Sequence, residues 1–315
     1  MNLLSSLRYL VALNEHRHFG RAAQACHITQ PALSNAIRAL ETEFNVVIVR
    51  RDRSFVGLTP EGERVLASAQ RMLREATNLE QDLKGTGQGP SGPLKIASVP
   101  TAVPIAARFA AMLQARNEGI QPVVLSLSSS ALEQGLEDLS IDIALGYSER
   151  MRVQDQRLSA WPQYAEHYFL LRRSAKPHRL GLHIGEAMPW QQAATLPLCL
   201  LTPEMHNRSI VDAAFHAAGA AVRPAMETNS IMTMMLAVVD GSVCSILPGA
   251  LVDTVRSYRE LDAHPLVGPE VRTPIAFISN VQARPSRALQ AAWALAQDAA
   301  WLRHAAAHSG LMPGR

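Results

Sequence analysis

Apolar residues recur at three- and four-residue spacing through the first fifth of the chain. They then give way to short apolar runs separated by helical stretches. Leu3, Leu7, Leu10 and Val11 predict a first helix over roughly 3–15. Residues 20–25 predict a short second helix, and Cys26-His27-Ile28 a tight turn. Thr29 is a good N-cap and Pro31 suits the first turn of a third helix. That helix runs to about Glu43, with Leu33, Ile37 and Leu40 inward. Two β-branched runs, 46–49 and 54–58, predict a small hairpin or wing. Thr59-Pro60-Glu61-Gly62-Glu63 then combines a cap, an early proline and acids against the helix dipole. It opens a helix to about Lys84 in which Val65, Leu66, Ala69, Met72, Leu73, Ala76, Leu79 and Leu83 share one face. So long an amphipathic helix is expected to pack on a partner helix, with packing on its own body as the alternative.

Residues 85–92 form a Gly/Ser/Pro linker. Its second half matches G-x-G-x-x-G, but it follows a helix and precedes a strand, the reverse of a dinucleotide site, and Pro90 blocks the tight loop. Beyond it, strands are expected at 94–99, 123–127, 141–145, 168–172, 198–201, 223–227, 243–247, 261–266 and 274–280. Helical patterns fall between most of them, and a long Ala-rich helix is expected over 286–307. This alternation predicts an α/β body with a mainly parallel sheet.

The 315 residues suffice for two or three domains. Charged residues make up 18%, which excludes a disordered polyelectrolyte. Aromatics, at 5%, are too few for a stacking platform to be the main device. The net charge of +3 is informative only through its placement. Seven of the 30 basic residues and four of the 27 acidic ones lie in residues 1–60, which leaves 23 of each in the rest. A small cationic module on a neutral body points to a polyanion partner. The three scattered cysteines, Cys26, Cys199 and Cys244, form no C-x-x-C pair, so neither a disulfide framework nor a metal site is expected. Arg8 interrupts the apolar start, which reads as an amphipathic helix rather than a leader. No apolar run approaches a membrane span, and a cytoplasmic protein is expected.

Residues 18–40 read as helix, three-residue turn, helix. The second helix offers Gln30, Ser34, Asn35 and Arg38 on its outer face, types that reach base edges or phosphates. Its N-terminus, with Thr29 and Pro31, can hold a phosphate. Arg21 adds charge beside it, and Arg50, Arg51 and Arg53 on the wing can grip flanking backbone. These residues predict double-stranded DNA as a partner.

The runs Phe19-Gly20-Arg21-Ala22-Ala23, Thr29-Gln30-Pro31-Ala32-Leu33-Ser34, Ile37-Arg38-Ala39-Leu40-Glu41 and Leu58-Thr59-Pro60-Glu61-Gly62 resemble the DNA-binding domain of LysR-type transcriptional regulators. The resemblance implies a winged helix-turn-helix over 1–59, a dimerising helix over 60–84 and a hinge over 85–92. It further implies an effector domain like a periplasmic binding protein, with subdomain I at 93–161 and 268–307, subdomain II at 162–267 and a tail at 308–315. A dimer of dimers and contact with RNA polymerase are implied as well. The sequence departs from the family at the wing, where Ile48-Val49-Arg50 replaces a Leu-Phe-x-Arg run, and at His18, where Ser is common. The N-terminal run also resembles, more faintly, regulators encoded beside soluble formate dehydrogenases.

In an open α/β body, ligands sit beyond the carboxyl ends of strands and face helix N-termini. Those positions hold Ser98, Pro100 and Thr101; Ser129 and Ser130; Thr202 and His206; and Asn229. Hydroxyls and helix N-termini suit an anion. The resemblance places Thr101, Ser129 and Thr202 at effector-contact positions, and Tyr147 where some members use Arg. A small anion such as formate is therefore expected over a large dicarboxylate. Met232, Met234 and Met235 read as core filler. No catalytic motif is present and no enzyme or cofactor is expected. Two other readings stay open: an architectural DNA protein with a non-sensing rear domain, and a soluble small-molecule-binding or enzymatic protein.

Overall fold

The computed structural model describes residues 2–51, 55–84, 89–150, 157–281 and 284–310. The chain divides into two compact units, one running up to residue 89 and the other made of nearly all the rest.

The first unit contains α1 (Leu3–His16), α2 (Phe19–Ala25), α3 (Gln30–Glu43), β1 (Val49–Arg51), β2 (Phe55–Leu58) and α4 (Pro60–Lys84). Leu7, Leu10, Leu13, Ala22, Ala23, Leu33, Ile37 and Leu40 form its core, and Leu66 and Ala69 of α4 join them. The small alanines of α2 let it lie close to its neighbours. Only Val49 of the predicted first wing run pairs as strand, because Glu41 intercepts the backbone just before it. The Glu41 carboxylate accepts from the N–H groups of Ile48 (3.0 Å) and Val49 (3.1 Å).

The second unit opens with β3 (Gly92–Ser98), a 3-10 turn at Pro100–Ala102, α5 (Val103–Arg116), β4 (Ile120–Ser126), α6 (Ser129–Glu137) and β5 (Ile143–Tyr147). Then come β6 (Leu158–Arg173), β7 (His183–Ile184), β8 (Met188–Pro189), α7 (Trp190–Ala193), β9 (Leu198–Leu201), α8 (His206–Ala217), β10 (Met226–Thr228), α9 (Ile231–Asp240) and β11 (Cys244–Pro248). The unit closes with α10 (Gly249–Thr254), β12 (Leu261–Val267), β13 (Arg272–Asn280), α11 (Arg287–Ala296) and α12 (Ala299–His308).

The sheet is more mixed than the alternation predicts. Strands β4, β3 and β5 run parallel in one lobe, and β10, β9 and β11 run parallel in the other. Between them β6 runs for 16 residues and pairs antiparallel with β13 along its first part and with β11 and β12 along its last. It therefore belongs to both lobes. The sequence pattern starts this strand only at Tyr168 because Pro162 interrupts the run. The structure absorbs that proline at an irregularity in the register opposite Ile275 and Ala276.

The expected helix over 286–307 is two helices. Asp298 ends the first run and caps the second, its carboxylate accepting from the Trp301 N–H at 2.9 Å. Trp301 is fully buried against Phe109 and Phe277. Met234 is buried in the core of the second lobe, as a filler residue should be, whereas Met232 is exposed.

Candidate functional site

Two sites were expected, one in each unit. In the first unit α3 keeps Leu33, Ile37 and Leu40 inward and leaves Gln30, Pro31, Asn35 and Arg38 exposed, with Ser34 half-buried. The Thr29 hydroxyl accepts from the Ala32 N–H at 3.4 Å, so Thr29 is spent on capping. Arg21 is exposed but donates to the His16 carbonyl at 2.9 Å, closing the corner between α1 and α2. Arg50 is exposed on β1. Arg51 is described by its backbone alone, and Arg53 lies outside the described residues.

His18 takes over the work of the expected serine. Its Nδ1 accepts from the N–H groups of Gly20 (3.0 Å) and Arg21 (3.2 Å) and so caps α2. At the wing, Phe55 packs edge-on against Phe19, a contact that the altered Ile48-Val49-Arg50 run leaves in place.

In the second unit, a small cleft opens between the carboxyl ends of β3, β5 and β9. It is lined by Val99, Pro100, Thr101, Ser128, Ser129, Tyr147, Leu201, Met205, His206 and Asn207. The space open to the centre of a water-sized molecule is about 10 Å³, roughly what one water needs. Of the expected ligand residues, the fold brings together Pro100, Thr101, Ser129, Tyr147 and His206.

The other four stand elsewhere for physical reasons. Ser98 is fully buried and donates to the Val99 carbonyl at 2.9 Å. Ser130 turns outward to the Ser128 hydroxyl. Thr202 donates to the Glu204 carboxylate at 2.6 Å, and Asn229 is exposed. Short polar residues at strand ends satisfy nearby groups as readily as a ligand.

Asn207 was not anticipated, yet it ties the cleft together. Its Nδ2 donates to the hydroxyls of Tyr168 (3.1 Å) and Tyr147 (3.4 Å). The Tyr147 and Thr101 hydroxyls lie 3.0 Å apart, and those of Tyr168 and Thr273 lie 3.4 Å apart. The His206 ring meets Tyr147 edge-on at 4.8 Å. Burial holds the His206 pKa below the usual histidine value, with Arg150 lowering it further, so the ring is neutral near pH 7. No side chain caps α8, whose first turn contributes to the cleft wall.

Beneath these hydroxyls lies Glu166, fully buried on β6 between Tyr164 and Tyr168. Neither of its carboxyl oxygens has a hydrogen-bond partner of good geometry, and the Tyr164 hydroxyl has none either. Burial raises the Glu166 pKa to about 8, a rise that the nearby Thr101 and Tyr168 hydroxyls reduce. Its sequence signal was the alternation Tyr164-x-Glu166-x-Tyr168, which puts an acid on an aromatic strand face.

Among the described residues, His178, His183 and Asp262 form a cluster with metal-ligand chemistry. It is already paired internally. His178 Nε2 lies 2.7 Å from Asp262, the two imidazoles stack at 4.7 Å, and Arg172 approaches the same carboxylate at 3.8 Å. A cation there would face the Arg172 charge.

No helix among the described residues is long and apolar enough to cross a membrane. Residues 4–63 match the bacterial regulatory helix-turn-helix protein, lysR family, and residues 87–301 match the LysR substrate binding domain. The chain is similar to the hydrogen peroxide-inducible genes activator of Escherichia coli O6:H1, 27% identical over 289 residues, covering 87% of this chain and 88% of that one. Among solved structures, full-length OxyR from Pseudomonas aeruginosa superposes with a TM-score of 0.69 at 24% identity, covering 92% of this chain and 95% of that one. CbnR in complex with its target DNA gives 0.65 at 20% identity, covering 96% and 99%. The two domain matches span nearly all of the described chain, and the protein belongs to the LysR family of transcriptional regulators.

Proposed function

We propose that this regulator reads a promoter site on double-stranded DNA through α3 and answers to a small anion, formate or a similar carboxylate or oxyanion, held in the cleft between the lobes. The observation that carries the anion reading is the cleft itself. Thr101, Ser129 and Tyr147 bring hydroxyls to a small cleft, and among the described residues no arginine or lysine lines it. A dicarboxylate would find no cation there to meet either of its charges. A three-atom anion on hydroxyls and a helix N-terminus matches the chemistry.

The DNA reading is supported by the exposed Gln30, Asn35 and Arg38 and by the structural likeness to CbnR, which was solved on its target DNA. Self-association through α4 is supported by its exposed Met72 and Leu79, and by the apolar groove that Leu7, Phe44, Val46, Val65 and Met72 form with it. Pairing of such dimers, contact with RNA polymerase and a cytoplasmic location complete the reading.

Peroxide sensing, the activity named for the relative, is disfavoured by the thiols. Cys199 is fully buried and Cys244 nearly so, and burial raises both pKa values, which depletes the reactive thiolate.

Thermal unfolding against formate, acetate, nitrate, carbonate and oxalate tests the effector. Formate should raise the transition by binding the folded state only, and Thr101→Val should abolish the rise. If none of the anions shifts it, the anion reading is wrong. A gel shift on the upstream region of the protein's own gene tests the DNA half.

A further inference from the structure

A second cluster of chemistry-bearing side chains lies outside the cleft, where the connection between β6 and β7 meets β12. Arg172 of β6, Asp262 of β12 and His183 of β7 stand side by side in the register of three adjacent strands, so they share one face of the sheet. His178, from the connecting segment, reaches the same carboxylate. The ligand atoms that His178, His183 and Asp262 can offer all lie within 4.8 Å of one another. His178 Nε2 is 2.7 Å from Asp262 Oδ1, and His183 Nδ1 is 3.4 Å from that same oxygen. The two rings stack with their centroids 4.7 Å apart. Along the chain the two histidines follow H-x4-H, a spacing found in zinc-binding pairs.

The backbone holds this geometry by itself. The His178 N–H donates to the Arg259 carbonyl at 2.7 Å, and Arg259 Nε returns a bond to the His178 carbonyl at 2.6 Å. The Ser174 N–H donates to the Glu260 carbonyl at 2.7 Å. The Ser174 hydroxyl gives its one proton to the Lys176 carbonyl (3.0 Å) and turns a lone pair to His178 Nε2 (3.1 Å). Both side-chain contacts of the His178 ring therefore fall on Nε2. A Ser–His–Asp relay needs one partner on each ring nitrogen, so this is not one. With acceptors on both sides, Nε2 carries the ring hydrogen, which an entering ion would displace to Nδ1.

We propose that His178, His183 and Asp262 form a zinc site that fastens the segment 174–182 to β12. Two imidazoles and a carboxylate are a three-ligand set that zinc completes with water. Bonds of about 2.0–2.1 Å in a tetrahedron put ligand atoms about 3.3 Å apart, so the His183–Asp262 pair already fits and His178 withdraws by about 0.6 Å. Magnesium and calcium favour sets richer in oxygen. Arg172 lies 3.8 Å from the other carboxylate oxygen, Oδ2, beyond hydrogen-bond reach, and its side chain is partly exposed. It can turn to water as the ion enters. Arg173, Lys176 and Arg179 are exposed on the same stretch, and their charge weakens the site without occupying it. The site shares no residue with the cleft, so it stands or falls apart from the effector reading.

The experiment is equilibrium dialysis of the tag-free, full-length protein against zinc chloride alone, after metal has been removed with a chelator and the chelator washed away. Bound metal is counted by atomic emission. Wild type should take up one zinc per chain in its tightest class, and an excess of magnesium or calcium should not displace it. His178→Ala, His183→Ala and Asp262→Asn should each weaken that class by about tenfold or more. His216→Ala, which removes an exposed histidine of α8 outside the cluster, should bind as wild type does. No tight zinc on wild type overturns the proposal, and so does uptake that both His178→Ala and His183→Ala retain.

Cobalt(II), which accepts the same donors and absorbs visible light, locates the ion. Wild type should develop the strong visible bands of a four-coordinate ion, and His183→Ala should not. Bands of equal strength in His183→Ala place the metal elsewhere and overturn the assignment. Zinc should also raise the thermal transition of wild type and leave that of His183→Ala where it was, because only the folded chain builds the site. If Asp262→Asn does not fold, His183→Ala decides, since its side chain is 54% exposed and the fold does not depend on burying it.

Discussion

Cys199 and Cys244 stand on adjacent strands of one sheet with their side chains on opposite faces. In the register of β9 and β11, Cys244 lies beside Leu198, and Cys199 beside Ser245. The one-residue offset sends Cys199 into the core with Phe169 and Leu171, and Cys244 into the core with Trp190 and Phe215. A disulfide between them would require the sheet to come apart. Peroxide at concentrations that oxidise exposed reactive thiols should therefore leave the DNA-binding pattern of a Cys26→Ser variant, which removes the half-buried thiol of the first unit, unchanged. Intact-mass measurement under native conditions should find Cys199 and Cys244 unmodified. An intramolecular Cys199–Cys244 disulfide, or a peroxide-dependent footprint, would contradict this.

His18 caps α2 through an imidazole nitrogen rather than a hydroxyl. Removing it leaves the Gly20 and Arg21 N–H groups without their acceptor at a helix that positions α3. His18→Ala should cost about 1 kcal/mol of stability, the usual value of an N-cap, and His18→Ser should restore most of it. Chemical denaturation of the isolated alanine and serine variants against wild type measures both. Equal midpoints for all three would show that the cap contributes nothing.

Gly62 opens α4 directly against the Ile48 backbone, and a Cβ there would collide with the Ile48 carbonyl. Thr59 holds the same corner, its hydroxyl donating to the Val47 carbonyl and accepting from the Gly62 N–H at 2.9 Å. Gly62→Ala should destabilise by about 1–3 kcal/mol, the range for forced overpacking. A thermal transition unchanged by the substitution would mean the wing and helix shift apart freely.

Much of the first unit was legible because its chemistry is local. Thr29, Pro31, Thr59 and Pro60 are caps and starts whose meaning depends only on their neighbours, and the apolar spacing of α1, α3 and α4 fixes their inward faces. The cleft was legible in outline, since strand ends and helix starts announce themselves. Its membership was not. Ser98, Thr202 and Asn229 are the same residue types as Thr101 and Ser129, and only the three-dimensional neighbourhood decides which hydroxyls a backbone or a carboxylate claims first. Glu166 escaped notice for another reason. Pro162 broke the strand pattern just upstream, so the stretch holding Tyr164 and Glu166 did not register as a strand with one buried face.

The raised pKa of Glu166 has a consequence for folding. An acid that holds its proton up to about pH 8 in the folded state and loses it near 4.5 when exposed binds more protons folded than unfolded between those values. Stability should therefore decline as pH rises through that window, at up to about 1.4 kcal/mol per unit for this one group, and level off above it. Glu166→Gln removes the penalty. It should be more stable than wild type at pH 8, with the advantage shrinking toward pH 5. Urea denaturation of both proteins at pH 5, 6.5 and 8 checks the sign. An advantage that does not grow with pH would mean the carboxylate is accommodated in its ionised form.

Arg38 and Arg50 are both exposed in the first unit, but their positions assign them different work. Arg38 lies on the outer face of α3, two turns from its N-cap, where a guanidinium can meet a guanine edge in two hydrogen bonds. Arg50 lies on the wing strand β1, suited to the flanking phosphates. Arg38→Ala should cost about 1–3 kcal/mol on the protein's own site and much less on unrelated DNA, so selectivity falls. Arg50→Ala should weaken binding to both alike and reduce the slope of log affinity against log salt by about one unit. Fluorescence anisotropy on specific and scrambled duplexes at 50, 100 and 200 mM salt separates the two. If Arg38→Ala changes the salt slope and spares selectivity, α3 is contacting backbone there and the base is read by Gln30 or Asn35 instead.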